Sequence, residues 1–191
     1  MTTIQSKPWR YFAVLLVVAL LSACAGNGPH NSVADGADGV LMLKGHDPVA
    51  YFTMGKHTLG RADIKADFDG ATYRFISNAH KAMFVKEPAK YAPQFGGFCS
   101  NGIVYGIPWG GDADTWKIID GKLYIFGGES SQRYFLMNEK ANLALAERYW
   151  AEEIKGHNAV IQRYKRLVMR VPHYKSGKEL QDEWEKRPKA Q

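Results

Sequence analysis

The most reactive side chains in this chain belong to its two cysteines, Cys24 and Cys99. A cysteine thiolate is a nucleophile, a redox centre and a ligand for soft metal ions, so each cysteine calls for an explanation. The sequence contains no Gly-x-Ser-x-Gly, no His-Glu-x-x-His, no phosphate-binding loop and no dinucleotide fingerprint. The sequence therefore gives little support for an enzyme of a common class, and its two thiols are the main candidates for chemical activity.

The first cysteine follows a segment typical of an export signal. The basic residues Lys7 and Arg10 precede an apolar run over residues 11–21, which is shorter than the roughly 20 residues that span a bilayer. Residues 21–24, Leu-Ser-Ala-Cys, resemble the lipobox of bacterial lipoproteins, which implies cleavage before Cys24 and acylation of its sulfur. We expect residues 1–23 to be removed and the acyl chains on Cys24 to hold the protein on a membrane.

The same resemblance bears on location and on the second thiol. Lipoproteins of Gram-negative bacteria usually carry aspartate after the acylated cysteine when they stay in the inner membrane, whereas this chain has Ala25. The resemblance thus implies a lipid-anchored envelope protein on the outer membrane, facing the periplasm. Acylation of Cys24 leaves Cys99 without an intramolecular partner in an oxidising compartment. Cys99 is then buried, bound to metal, paired with another molecule, or a reactive thiol.

The charge distribution is uneven, although the formal net charge is only +6. Export argues against a nucleic-acid partner, which would also require a concentrated basic surface. The basic C-terminal region predicts either an ordinary solvated helix face or a face that touches anionic lipid headgroups. Its basic residues are Lys155, Arg163, Lys165, Arg166, Arg170, Lys175, Lys178, Lys186, Arg187 and Lys189.

Two Asp-Gly pairs indicate the elements that must position these groups. Aromatic residues flank Asp69-Gly70, and β-branched and aromatic residues flank Asp120-Gly121, so both pairs predict β-hairpins. Residues 49–52, which follow the Gly-His-Asp-Pro turn, are predicted as a strand.

Helical patterns fill much of the remaining sequence. Residues 78–86 are predicted as a helix, with Ser77 or Asn78 as its N-cap, because apolar residues share one face and Pro88 follows. One amphipathic helix is predicted from about residue 130 to 154, and another over residues 158–171.

These elements predict an α+β fold: a small antiparallel sheet built from hairpins, with helices packed on it. Residues 24–39 are small, polar and rich in glycine, which is typical of a flexible tether. Residues 40–150 are predicted as the folded domain, and residues 151–191 as a helical, basic C-terminal extension.

Several segments of residues 40–150 resemble the YHS domain, in the form found in exported bacterial YHS domain-containing proteins. The resemblance implies a link to heavy metals, since the family includes parts of copper-transporting ATPases and mercury-resistance proteins. Its metal-associated form carries cysteines at the positions of Ala50, Ile76 and His80, and this chain lacks all three. The matching segments are residues 44–52, residues 73–77, Phe84 with Pro88 and Tyr91, residues 92–99 and residues 120–124.

The resemblance leaves three candidate ligands for a soft metal: Cys99, His80 and His46. Thiolate and imidazole suit Cu(I) or Zn(II), although a structural zinc site normally has four ligands. Tyr51, Tyr73 and Trp109 are candidates for the wall of a pocket. The strand and helix spacing of the two tyrosines suits a hydrophobic core better.

Three functions follow as hypotheses. The first is a membrane-tethered binding module for a soft metal such as copper. The second is a thiol redox protein that uses Cys99. The third is a non-catalytic envelope protein whose aromatic and basic C-terminal surface contacts a protein partner that the sequence does not identify.

Overall fold

The two Asp-Gly turns link sequence and fold most directly. The computed structural model describes residues 30–188, and in it the turns join β3 (Arg61–Phe68) to β4 (Ala71–Phe75) and β5 (Asp112–Ile119) to β6 (Lys122–Phe126). The aspartate and the glycine of each turn all have positive φ, between 49° and 75°. This backbone is that of a type I′ turn, whose twist matches that of the flanking strands. Both predicted hairpins are confirmed.

The first hairpin belongs to a four-stranded sheet with the strand order β1-β2-β4-β3. Strands β1 (Ser32–Asp35) and β2 (Asp38–Met42) pair antiparallel, while β2 runs parallel to β4 with Leu41 opposite Thr72. Strands β5 and β6 form a separate two-stranded sheet. The predicted α+β class, with a small and mainly antiparallel sheet, is confirmed.

The prediction of a flexible tether over residues 24–39 is wrong for the part that the structure describes. Residues 32–35 form β1, and Gly36, with φ of 59°, turns the chain into β2. Asn31 joins the loop that precedes Cys99, since its backbone N–H donates to the Gly96 carbonyl at 2.7 Å. Small polar residues are typical of a flexible segment, but pairing with β2 orders residues 32–35. The predicted signal at residues 1–23, Cys24 and the rest of the tether lie outside the described residues.

The predicted strand at residues 49–52 is instead the short helix α1 (Ala50–Thr53). The buried carboxylate of Asp47 accepts hydrogen bonds from the backbone N–H groups of Val49 at 2.8 Å and Ala50 at 3.3 Å. These bonds satisfy donors at the start of the helix, which outweighs the strand preference of the side chains.

The predicted helix at residues 78–86 is confirmed as α2 (Asn78–Lys86). Ser77 caps it by accepting a hydrogen bond from the His80 backbone N–H at 3.2 Å. Pro88 does not end the helical region but begins the short helix α3 (Pro88–Tyr91), since proline suits the first turn of a helix. Phe84 from α2 packs against Tyr73 and Phe75 of β4.

The rest of the described chain is mainly helical, as predicted. The single helix expected over residues 130–154 is two helices that meet near Asn138, whose non-helical backbone (φ −137°, ψ 53°) separates them. A π-helical turn, Trp150–Ile154, continues the second. The helices after β4 and α3 are α4 (Ser100–Ile103), α5 (Glu129–Leu136), α6 (Glu139–Tyr149), α7 (Ala159–Val168) and α8 (Gly177–Glu185).

Two hydrophobic clusters hold these elements together. One lies around Tyr73 and Phe84 at the four-stranded sheet, and the other around Phe126 and Phe135 between β6 and the helices. The C-terminal extension shares the second cluster, to which Ile154 belongs. Across residues 30–188, no helix is long and apolar enough to cross a bilayer.

Candidate functional site

A cavity of about 720 Å³ opens where the starts of α4, α5 and α8 come together. Residues far apart in the sequence form its wall, and the C-terminal extension closes one side. The volume is within the range of pockets that bind small molecules. The side chains that give the cavity its chemistry include those of Cys99, Asn101, Tyr105, Trp109, Glu129, Ser131 and Lys175.

Cys99 lies in the wall of this cavity and is otherwise buried, with only 4% of its surface exposed. Its backbone is fixed on both sides: its N–H donates to the Trp109 carbonyl at 2.9 Å, and its carbonyl accepts from Gly102 at 2.9 Å. The sulfur lies 3.0 Å from Oγ of Ser131, within hydrogen-bond distance. Among the described residues Cys99 forms no disulfide. The Ser131 hydroxyl is the one polar group there within hydrogen-bond distance of its sulfur.

Gly127 lets the chain pass close to the sulfur. A Cβ atom at this position would lie 3.1 Å from the Gly110 carbonyl oxygen and 3.5 Å from the Cys99 sulfur. Gly128 follows with φ of 128°, a conformation that favours glycine, and α5 begins directly after it. The two glycines therefore place the first turn of α5 beside the thiol.

The cavity contains hydrogen-bonding groups that the protein itself leaves unpaired. Asn101 is 7% exposed, and its side-chain amide lines the cavity without a hydrogen-bond partner among residues 30–188. The first backbone N–H groups of α5, at residues 129–131, have no partner within the helix. Two charged residues also line the cavity: Lys175, which pairs with Glu183, and Glu129 in the first turn of α5. An acceptor group of a ligand would find hydrogen-bond donors here.

Aromatic side chains form much of the remaining wall. Trp109 is among them, and Tyr51 and Tyr73 are not. Burial raises the pKa of Tyr105 to about 12, so its hydroxyl stays protonated at neutral pH. The hydroxyl of Tyr134 donates to Oε1 of Gln181 at 2.7 Å, which ties α5 to α8. With Tyr174, these rings offer flat apolar surface to a ligand.

The two tyrosines that were candidates for a pocket wall lie elsewhere. Tyr51 is a core residue, 1% exposed, whose hydroxyl donates to the Ala113 carbonyl at 2.7 Å. It packs edge-on against Trp116. Tyr73 lies in the core at the sheet and borders a second cavity of about 470 Å³, next to Phe68 and Pro93. An aromatic side chain suits both a hydrophobic core and the wall of a pocket, so only the fold shows which of these each tyrosine occupies.

The three candidate metal ligands do not form one site. Nδ1 of His80 lies 2.7 Å from Oδ2 of the buried Asp47, and its Nε2 lies 3.4 Å from Oγ1 of Thr53. Nδ1 of His46 lies 2.8 Å from the Leu43 carbonyl oxygen. Among the residues that the structure describes, no group of three or more His, Cys, Asp and Glu side chains could hold a metal ion. These residues therefore do not fit a metal centre with three protein ligands.

Sequence inspection missed Asn101, Ser131 and Lys175. One local signal was present: the pair Gly127-Gly128 followed by Glu-Ser-Ser at a helix start is typical of a ligand-binding turn. No comparable signal exists for Lys175, which reaches the cavity only because the C-terminal extension packs back on the domain.

Comparison with known family models, with curated proteins and with solved structures gave no match for this chain. The resemblance to the YHS domain therefore stays a prediction.

Proposed function

We propose that this chain is a lipid-anchored envelope protein whose folded domain binds a small ligand in the Cys99 cavity. One observation carries the proposal: the thiol of Cys99 and the amide of Asn101 line the same cavity, and the amide has no partner among the described residues. The amide of Asn101 therefore opens to the cavity with its hydrogen-bonding groups unused by the protein. A ligand that pairs with it would gain a hydrogen bond, worth about 0.5–1.5 kcal/mol.

The walls indicate the class of ligand. The aromatic side chains of the wall favour a ligand with a flat and largely apolar body. They are those of Tyr105, Trp109, Tyr134 and Tyr174. Asn101 and the backbone N–H groups in the first turn of α5 favour a hydrogen-bond acceptor at one end of that body. The proposed ligand is therefore a small aromatic or otherwise planar molecule with an acceptor group, such as a carboxylate or sulfonate oxygen, at one end.

Alkylation of Cys99 tests this proposal directly. In a chain that begins at residue 24 and carries Cys24→Ser, Cys99 is the one remaining cysteine. The buried members of both hydrophobic clusters lie between residues 42 and 171, so this chain contains both cores. Anilinonaphthalene sulfonate, an aromatic molecule with an anionic group, serves as the probe ligand. We expect a saturating concentration of it to slow the reaction of Cys99 with iodoacetamide about tenfold or more.

Two variants locate the effect. Asn101→Ala removes one hydrogen bond to the ligand and should raise the half-protecting concentration of the probe about twofold to twelvefold, as expected for about 0.5–1.5 kcal/mol. Asn78→Ala, an exposed asparagine on α2, is the matched control and should leave protection unchanged. An alkylation rate that is the same with and without the probe would overturn the proposal.

The anchor is tested separately, in bacterial cells grown with labelled palmitate. The pattern of residues 21–24 supports acylation of Cys24. We expect label in the wild-type protein and none in Cys24→Ser. An unlabelled wild-type protein would refute the anchor while leaving the cavity proposal intact.

Soft-metal binding is a second candidate, favoured by the position of the Cys99 thiol in a cavity wall. Because Cys99 is the one soft ligand there, a Cu(I) ion would complete its coordination with ligands from a small molecule. Titration with Cu(I) in the presence of a small thiol should then saturate at one ion per chain. Cys99→Ser should abolish binding, whereas His80→Ala should leave it unchanged, and a result opposite to either would refute this candidate.

A further inference from the structure

Helix α7 packs on the protein through its polar face. Gln162 is 5% exposed, and its side-chain nitrogen donates to the Gly106 carbonyl at 3.1 Å and to Oε2 of Glu153 at 2.8 Å. Arg163 donates to the Pro108 carbonyl through Nη2 at 2.7 Å. Apart from the buried Ala159 at its first turn, the helix is thus fixed mainly by polar contacts.

An ion pair completes this polar interface. Arg166 pairs with Glu153, and both side chains are largely buried, at 15% and 17% exposure. Burial alone would raise the pKa of Glu153, but hydrogen bonds from Arg166 and Gln162 outweigh it and hold the pKa below its ordinary value. Glu153 is thus ionised at neutral pH and neutralises Arg166.

The opposite face of α7 is apolar and exposed. Ile161, Tyr164 and Val168 follow at spacings of three and four residues and are 68%, 66% and 83% exposed. Leu167 and Met169 extend this face, which we call the α7 apolar face. An amphipathic helix of a globular protein normally turns such a face inward. The reversed orientation leaves a contiguous apolar patch exposed, which is typical of an interaction surface.

The charges around the α7 apolar face are positive. Between residues 158 and 170 the sequence has four basic residues and no acidic one. Two of the four, Arg163 and Arg166, face the protein. Lys165, which also pairs with Glu153 at 3.4 Å but is 44% exposed, and the exposed Arg170 lie beside the apolar face. An apolar stripe bordered by cations matches the boundary between anionic headgroups and acyl chains.

The chain length supports contact with the same membrane that holds the proposed anchor, and this step rests on the proposed function. Only six residue steps separate Cys24 from His30, where the described structure begins. At about 3.5 Å per residue, they reach roughly 20 Å at most. A domain tethered this closely meets the bilayer surface continually.

We propose that α7 is an interfacial membrane-binding helix, which lies on an anionic bilayer with the side chains of Ile161, Tyr164 and Val168 inserted. The occupant of the α7 apolar face is thus the lipid surface. Lys165 and Arg170 contact the headgroups, and Arg163 and Arg166 hold the helix to the protein.

Vesicle sedimentation tests the proposal with the chain from residue 24 carrying Cys24→Ser, so that no acyl chain contributes. We expect binding to vesicles of phosphatidylglycerol and phosphatidylcholine, much weaker binding to phosphatidylcholine alone, and release by high salt. Ile161→Glu with Val168→Glu should lower vesicle affinity at least about tenfold, since each charge must leave water at the interface. Val85→Glu, at an exposed valine of α2 (59%), is the matched control and should bind like the parent chain.

Three results would overturn the proposal. The first is no binding to anionic vesicles, and the second is equal binding by the double variant. The third is a dimer in solution that does not bind vesicles and that the double variant abolishes, which would assign the face to a second copy. Circular dichroism shows whether each variant is folded, and failure of palmitate labelling leaves this test unaffected.

Discussion

Asp47 and the partly buried His80 form a hydrogen-bonded pair, with Oδ2 and Nδ1 separated by 2.7 Å. The carboxylate of Asp47 is fully buried, and the same oxygen accepts a hydrogen bond from the Ile76 backbone N–H at 2.8 Å. Its other oxygen accepts from Val49 and Ala50 at the start of α1. One carboxylate therefore joins α1, the end of β4 and α2.

Replacement of Asp47 should strongly destabilise the fold. Hydrogen bonds to a charged group contribute about 1.5–3 kcal/mol each, so we expect Asp47→Ala to lower the free energy of unfolding by at least about 3 kcal/mol. His80→Ala removes one of these bonds and should cost about 1–2 kcal/mol. Urea unfolding followed by circular dichroism measures both. The control is Asp63→Ala, which removes an exposed ion pair and should lower the free energy of unfolding by less than about 1 kcal/mol. If Asp47→Ala lowered it no more than Asp63→Ala does, the role assigned to Asp47 would be contradicted.

This pair also shows where sequence inspection fails. Residue type made His80 a candidate metal ligand, but its partner Asp47 lies 33 residues away. The hairpins could be predicted because an Asp-Gly turn carries its information in adjacent residues. The α2 helix was predictable for the same reason, since its cap is the residue directly before it.

The candidate site could be predicted only in part. Cys99 was identified by its chemistry, yet Ser131 lies 32 residues later and reaches the sulfur only in the folded chain. The amphipathic pattern of α7 could equally be recognised in the sequence. The pattern did not show which face of the helix packs on the protein. Buried carbonyls of Gly106 and Pro108 decide that, because Gln162 and Arg163 satisfy them.

Acid should weaken the first sheet through Asp38. A hydrogen bond from Lys65, at 2.5 Å, and others from Arg74 hold the pKa of Asp38 below its ordinary value of 3.8. The folded carboxylate binds its proton more weakly than the unfolded one, so its stabilising effect is present above pH 3.8 and is lost as pH falls through the folded pKa. We expect Asp38→Asn to be destabilising at neutral pH and progressively less so toward about pH 2. Urea unfolding across this range checks it, and a difference that grows toward low pH would have the wrong sign.

Alkali should unfold the protein through its buried tyrosines. Burial raises the pKa of Tyr51 and Tyr73 well above the ordinary value of 10.0, and that of Tyr105 and Tyr124 to about 12. The unfolded chain loses these protons first, so stability is retained below pH 10.0 and falls as pH rises above it. Phenolate absorbance and circular dichroism, recorded together against pH, should show these tyrosines ionising as the fold is lost. Ionisation of all tyrosines near pH 10.0 with an intact fold would contradict the assigned burial.

Gly102 should be needed for the shape of the cavity wall. A Cβ atom at this position would lie 2.6 Å from the Ile107 carbonyl oxygen, closer than real contacts allow, and 3.1 Å from Cε3 of Trp109, which is a tight contact. Gly102→Ala must therefore displace the loop that carries Trp109, at a cost of about 1–3 kcal/mol. Because the Trp109 carbonyl accepts the hydrogen bond from Cys99, we also expect weaker protection of Cys99 by the aromatic probe. Gly39→Ala, where an added Cβ meets nothing within 4 Å, is the matched control, and equal stability and protection in the two variants would show that Gly102 has no such role.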